Sequence, residues 1–187
     1  LNIFETELKD VFQLEPARFG DSRGWFSETW NRRAMIQAGI DLNFVQDNHS
    51  FSADKGTLRG LHYQAPPNAQ DKLVRATRGS ILDVAVDIRV GSPNFGKWIS
   101  VVLSAQDGTQ LLIPKGFLHA FLTLEDNTEV QYKCTDFYAP ESDGSVSFSD
   151  PALAIDWGID TDTAILSDKD SKAPLLKDIE NPFVFGD

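Results

Sequence analysis

The chain has 187 residues, 41% of them hydrophobic, with 13 Phe and 4 Trp, which is enough apolar material for one domain with a sizeable core. Seventeen basic side chains stand against 28 acidic ones, a net charge of -11; that argues against DNA or RNA as a partner but leaves room for a small phosphorylated ligand held by two or three cations. Cys134 is the lone cysteine, so no intrachain disulfide forms, and no basic stretch followed by an apolar run and no apolar run of membrane length is present, so the expectation is a soluble, cytoplasmic protein without a membrane partner.

In chain order, residues 1–20 hold short apolar pieces that end at the turn signals Gly20, Asp21 and Gly24. The piece Glu28–Gly39 is the best helix candidate, with Thr29 as its cap and Gly39 as its terminator. From residue 44 onward, short apolar or β-branched runs alternate with Gly, Pro, Asn and Asp. KLVRAT (72–77), SILDVAVDIRV (80–90), GKWISVVLS (96–104), TQLLIP (109–114), FLHAFLTL (117–124) and TEVQYKCTDFY (128–138) all read as strands. No long helix fits between them, which excludes parallel α/β units and leaves an antiparallel sandwich or barrel. Residues 141–187 read as loops with a short helical turn around 161–166. The expected organisation is a single domain over 1–187. Residues 1–43 supply N-terminal strands, a helix and dimer contacts; 44–140 form the core; 141–187 form a C-terminal loop with short helical segments.

Strand parity narrows the candidates. In ILDVAVDI, Leu82, Val84, Val86 and Ile88 share one face, and Ile81, Asp83, Ala85 and Asp87 the other; the aspartates either meet water or line an interior that holds a polar ligand. In EVQYKCTDFY, Val130, Tyr132, Cys134, Asp136 and Tyr138 share the inward parity. In LRGLHYQ (58–64), strict alternation separates Arg59 from His62; a bulge at Gly60, or a second subunit using Arg59, would reunite them.

Three histidines exist: His49, His62 and His119. His49, in the polar stretch QDNHSFS, suits a surface or structural role. PKGFLHAFLT (114–123) resembles the second motif of the cupin superfamily, with Thr123 where the usual Asn would stand. Where a metal cupin carries HxH, this chain has His62–Tyr63–Gln64. The usual set of three histidines and a carboxylate therefore cannot be assembled, and no metal is expected, although a site of two histidines and one carboxylate is conceivable. As a base, His62 needs a carboxylate to set its tautomer, a cation for an enolate oxygen and a separate acid on the opposite face. The chain offers Asp83 or Asp170, Lys72 and Tyr132 for these parts. No GxGxxG after a strand and no Walker loop signals a cofactor, and none is expected.

Ordered motifs then carry a specific resemblance. SRGWFSE (22–28), FVQDNHS (44–50), GTLRGLHYQ (56–64), QDKLVR (70–75), IPKGFLHAF (113–121), YKCTDFY (132–138), SFSDPALAIDW (147–157) and LSDKD (166–170) together resemble the dTDP-4-dehydrorhamnose 3,5-epimerases. The resemblance implies an all-β, cupin-type antiparallel jelly-roll barrel with short peripheral helices, forming a homodimer and acting on a dTDP-linked 4-keto-6-deoxyhexose. It implies His62 as base with Asp170 as its partner, Lys72 at the enolate oxygen, Tyr132 as acid, and Asp83 behind the lysine or histidine. Tyr138 would stack on the thymine base, Arg23 and Arg59 would hold the diphosphate, and Phe26, Glu28, Gln46, Asn48, His119, Asp143 and Lys169 would line the nucleotide and sugar site. The chain departs from the family pattern at Asp71 (usually Gly), at Leu118 and Ala120, and at Asp143 (usually Glu). Relatives that epimerise only one carbon, and a non-catalytic sugar-nucleotide binder, are the alternatives.

Overall fold

A computed structural model describes residues 1–186. Its strands are β1 (Asn2–Glu5), β2 (Phe12–Glu15), β3 (Arg18–Asp21), β4 (Gly24–Ser27), β5 (Gln46–Ser52), β6 (Leu58–Gln64), β7 (Lys72–Arg78), β8 (Ser80–Asp87), β9 (Trp98–Ser104), β10 (Gln110–Ile113), β11 (Phe117–Thr123), β12 (Thr128–Cys134) and β13 (Asp143–Ser145), with one α-helix, α1 (Arg32–Gln37). Among the described residues no helix is long and apolar enough to cross a membrane.

The strands do not close into the barrel expected above. They form a six-stranded sheet in the order β1-β2-β10-β7-β12-β5, a five-stranded sheet in the order β13-β6-β11-β8-β9, and a separate hairpin of β3 and β4. All ladders between these strands are antiparallel. Closure would require the ladder to continue from one sheet to the other, but β5 and β1 end the first sheet, and β13 and β9 end the second. What joins the sheets is side-chain packing. Val74, Leu111, Ile113 and Val130 of the first meet Ile81, Ala85, Leu103, Phe117 and Phe121 of the second in one buried cluster.

Each sheet also has a covered outer face. The inward parity of β8 belongs to Ile81, Asp83, Ala85 and Asp87, and both aspartates are fully buried. Its other face, with Val84, Val86 and Ile88, is covered by Val146, Phe148, Leu153, Trp157 and Phe183 of the C-terminal segment. That double burial explains why the strand reads as nearly continuous apolar sequence. On the six-stranded sheet, Met35 of α1 packs on Leu14, Leu73 and Leu112.

Two predicted boundaries move. The helix begins at Arg32, not Glu28, because Asn31 is its cap, its side chain accepting from Ala34 N at 3.2 Å; Gly39, with φ +86°, follows its C-terminal end as expected. β12 stops at Cys134 instead of running to Tyr138, because its partner β5 begins opposite Cys134 at Gln46. The predicted turn near 161–166 is a 3₁₀ turn over Thr161–Thr163. Further 3₁₀ turns lie at Pro140–Ser142, Asp170–Lys172 and Leu176–Asp178.

Candidate active site

The site is organised by an irregularity in β6. His62 pairs with His119 of β11, and Arg59 pairs with Phe121, so three steps along β6 face two along β11. The extra residue reverses side-chain parity within the strand. Leu58 and Leu61 both enter the outer core, while Arg59 and His62 both line one cavity. Gly60 occupies the bulge with φ +127°, and a Cβ there would lie 2.7 Å from both Ala120 Cα and the His119 carbonyl oxygen.

That cavity has a volume of about 410 Å³. β6 contributes Arg59 and His62, β7 Lys72, β11 His119 and Phe121, and β12 Tyr132; the segment 165–170 closes one side with Lys169 and Asp170. A second lobe of about 380 Å³ shares His62, Lys72, Tyr132 and Lys169 and adds Gln46, Asn48, Tyr138 and Asp143. Twelve of the fifteen predicted site residues thus converge here, Asp83 doing so through His119. Arg23, Phe26 and Glu28 do not line either lobe of their own chain. Arg23 is exposed and paired with Asp21 at 2.5 Å, Phe26 is 70% exposed, and Glu28 accepts from Asn31 at 2.9 Å.

Two histidine–carboxylate pairs flank the cavity. His62 Nε2 lies 2.6 Å from Asp170 Oδ1. Burial of Asp170 acts to raise its pKa, but hydrogen bonding and charge from His62, with help from Ser167 and the Gly60 N–H, outweigh it and hold the carboxyl below the usual range. Asp170 is therefore an ionised acceptor that fixes the ring, leaving the other ring nitrogen to act as a base. His119 Nε2 lies 2.7 Å from Asp83 Oδ1. Here burial dominates: it lowers the His119 pKa and raises that of Asp83, despite the mutual attraction. Asp83 Oδ2 is buried with no hydrogen-bond partner among the described residues. The sequence left Asp83 and Asp170 as alternatives for orienting His62; in the structure Asp170 does so and Asp83 serves His119.

Lys72 and Tyr132 complete the polar lining. Burial pushes the Lys72 pKa down, opposed by the charges of Cys134, Asp143 and Asp83, and any charge the amine carries in this buried site is poorly screened. Burial raises the Tyr132 phenol, with Cys134 adding to the effect, which keeps it protonated. At the mouth, Lys169 is ion-paired with Asp143. His49 points away, exposed and paired with Glu129 at 3.0 Å, in keeping with its surface reading. Among the described residues no group of three or more His, Cys, Asp or Glu side chains is placed to hold a metal ion. Asp71 faces away from Lys72, accepting from Lys115 N at 3.1 Å and from the Thr135 hydroxyl at 2.8 Å.

Ser50 also lines the cavity, its hydroxyl buried without a hydrogen-bond partner among the described residues. The signal for it was available, since it follows Gln46 and Asn48 at a spacing of two on the inward face of β5. Ser167 carries no such signal, because the loop that places it has no period.

A His–Asp pair, a buried lysine and a neutral phenol around one small cavity define a class, namely an all-β protein equipped to move protons on a carbonyl compound. The family model described as dTDP-4-dehydrorhamnose 3,5-epimerase matches residues 5–178, and the chain belongs to that family. It is 51% identical over 180 residues to the dTDP-4-dehydrorhamnose 3,5-epimerase of Escherichia coli, covering 96% of each chain. Among solved structures it resembles a dTDP-6-deoxy-D-glucose-3,5-epimerase from Legionella pneumophila in complex with dTDP-4-keto-L-rhamnose, with a TM-score of 0.91, 47% identity and coverage of 96% of this chain and 94% of that one. It also resembles a 3'-monoepimerase from Streptomyces bikiniensis in complex with dTDP-quinovose, with a TM-score of 0.86, 38% identity and coverage of 92% and 86%.

Proposed function

We propose that the protein inverts C3 and C5 of dTDP-4-dehydro-6-deoxy-D-glucose, giving dTDP-4-dehydro-L-rhamnose. The observation that carries this reading is the convergence of His62–Asp170, Lys72 and Tyr132 on one cavity in a chain of this family. The C4 ketone acidifies the hydrogens on C3 and C5. His62 removes the C5 proton, and the electron pair of that C–H bond forms the C4–C5 double bond of an enolate whose charge rests on O4. Lys72 stabilises that oxygen, a term worth about 3–4 kcal/mol for one well-placed donor. Tyr132 returns a proton to C5 from the opposite face; once His62 has released its proton to solvent and the Tyr132 phenolate has taken one back, the same cycle at C3 completes the double inversion. His119, kept neutral beside Asp83, adds a polar contact without competing for the substrate's negative charge.

The diphosphate and nucleoside occupy the mouth, where Arg59, Gln46, Asn48, Tyr138, Asp143 and Lys169 provide cations, amides and an aromatic face. Arg23, Phe26 and Glu28 serve the site of a second copy. This homodimer reading is supported by the detached β3–β4 hairpin, whose Phe19, Trp25 and Phe26 are each more than half exposed, since so much apolar surface on one small hairpin calls for a partner. The whole chain works as one domain, in the cytoplasm.

Incubation with dTDP-4-keto-6-deoxyglucose in deuterated water tests the reaction. Deuterium at both C3 and C5, with inverted configuration at both by NMR, is expected, and His62→Ala abolishes it. Exchange and inversion at C3 alone would favour the single-carbon reading to which the Streptomyces relative points; near-normal exchange in His62→Ala would remove the base assignment. For the dimer, mixing inactive His62→Ala with inactive Phe26→Ala is expected to restore activity in mixed pairs.

A further inference from the structure

We propose that Gln64 is a positioning residue for nucleotide binding: with Gln46 and Gln70 it forms a cradle that holds the backbone of residues 136–139 and thereby fixes the ring of Tyr138 at the cavity mouth. The inference rests on the reading that Tyr138 stacks on the base. It concerns the residue that stands where a metal cupin would have its second histidine.

Beyond Cys134 the chain leaves the sheet, yet four consecutive residues remain tied by glutamine side chains. Gln70 Nε2 donates to the Asp136 carbonyl at 2.8 Å. Gln64 Nε2 donates to the Phe137 carbonyl at 2.9 Å. The Tyr138 N–H donates to Gln46 Oε1 at 2.9 Å, and the Ala139 N–H donates to Gln64 Oε1 at 2.9 Å. Gln64 thus satisfies a carbonyl and the N–H two residues later with one planar amide, as a neighbouring strand would. It is 6% exposed, and its Nε2 also donates to the Asn68 carbonyl. Both donor hydrogens of this buried amide go to backbone carbonyls and its oxygen takes a backbone N–H, so it has no donor left for a ligand.

The segment needs such support. Phe137 is 64% and Tyr138 59% exposed, so burial of their rings anchors the loop little, and aromatic rings in water do not hold one orientation unaided. An aromatic face offered to a flat base gains affinity when it is already oriented, because the apparent dissociation constant rises as the competent fraction falls. The three glutamines come from β5, β6 and the β6–β7 loop, so the loop is referenced to the strand that carries His62. Gln64 sits two residues from His62, but its amide reaches the nucleotide end of the cavity. Its loss should therefore act on binding and leave the chemistry alone.

The test is the affinity of the full-length protein for dTDP by calorimetry, together with steady-state kinetics. Gln64→Glu keeps the shape and the acceptor for Ala139 but turns a carboxylate oxygen toward the carbonyls of Phe137 and Asn68. It is expected to weaken dTDP binding and raise KM by about tenfold, with kcat changed by less than about twofold. Gln70→Ala, which removes one bond from a half-buried side chain, is expected to weaken dTDP about threefold; it decides the question if Gln64→Glu fails to fold. Tyr138→Ala supplies the reference. In that background the Gln64 and Gln70 changes should have no further effect on dTDP affinity, a non-additivity that general loss of stability would not produce. If Tyr138→Ala leaves dTDP binding unchanged, the stacking reading falls and the cradle's role falls with it. If Tyr138→Ala weakens binding but the glutamine variants do not, or add to it in full, or act on kcat, the stacking reading stands and the cradle is overturned.

Discussion

Replacing Asp170 with asparagine removes one charge and almost no volume, which isolates what the carboxylate does for His62. Asp170 is 4% exposed; its Oδ1 takes the His62 hydrogen at 2.6 Å, and its Oδ2 faces the Gly60 N–H at 3.5 Å. Both oxygens thus meet donors, while an amide offers only one acceptor. If the amide oxygen turns to His62, its NH2 confronts the Gly60 N–H at the bulge. If the NH2 turns to His62, the ring must present a lone pair there and carry its hydrogen on the cavity side, where it cannot take another proton. The charge-assisted bond alone is worth about 1.5–3 kcal/mol, or about ten- to a hundred-and-fiftyfold in rate. The expected outcome for Asp170→Asn is a loss of at least that size in solvent deuterium exchange at C5, followed by NMR, with dTDP affinity unchanged. Exchange within about threefold of the wild type would refute the argument that this carboxylate sets the tautomer and stabilises the protonated ring.

Lys72→Met should cost about a hundred- to a thousandfold in exchange rate. In the wild type kcat should fall as pH rises through a value below the ordinary lysine range, because burial favours loss of the ammonium charge; the pH–rate profile of a variant retaining Lys72 but with Cys134→Ser should still show that limb. Tyr132→Phe should retain exchange at C5 while losing most net inversion, read as deuterium uptake against product formed; equal loss of both would remove Tyr132 as the reprotonating acid. Asp83→Asn should hold or raise thermal stability at neutral pH. The folded-state pKa of Asp83 is raised chiefly by burial, so the wild type is favoured below the ordinary carboxylate value and loses stability as pH rises through the raised one. The variant's advantage in melting temperature should therefore grow with pH and vanish in acid, and an advantage largest in acid would contradict the sign.

Much of this was legible from strand parity. Alternation in ILDVAVDI separated the aspartate face from the Leu82–Ile88 face, and it left open only whether water or protein met the aspartates; the C-terminal segment covers the apolar face and the facing sheet encloses the other. Alternation in EVQYKC put Tyr132 inward; Tyr138 lines the same site too, but from a loop beyond the end of β12 and not by strand alternation. Periodicity in sequence continues past the point where a strand loses its partner, and only the end of β5 reveals that point. Closure of the sheets was likewise beyond local pattern, since inward and outward alternation is the same in an open sandwich and a barrel. The pairing of Asp170 with His62 spans 108 residues; no spacing rule reaches that far, so the residues alone left Asp83 and Asp170 as alternatives and only the family resemblance favoured Asp170.

The parity conflict at LRGLHYQ leads furthest. A regular strand would put Arg59 and His62 on opposite faces, and from the sequence either a bulge at Gly60 or a second subunit could reunite them. The structure keeps both by spending one residue on the bulge, and the position that yields is Gly60. A side chain there would run into Ala120 and the His119 carbonyl, so the close approach of β6 to β11 and the parity reversal depend on the same missing Cβ. That approach also sets His62 directly opposite His119 and turns the Gly60 N–H toward Asp170. Arg59, His62, its partner Asp170 and the neighbouring His119 are therefore placed relative to one another by one backbone irregularity. It follows that a substitution at Gly60 should disturb phosphate binding and proton removal together, whereas substitutions of Arg59 or His62 disturb them one at a time.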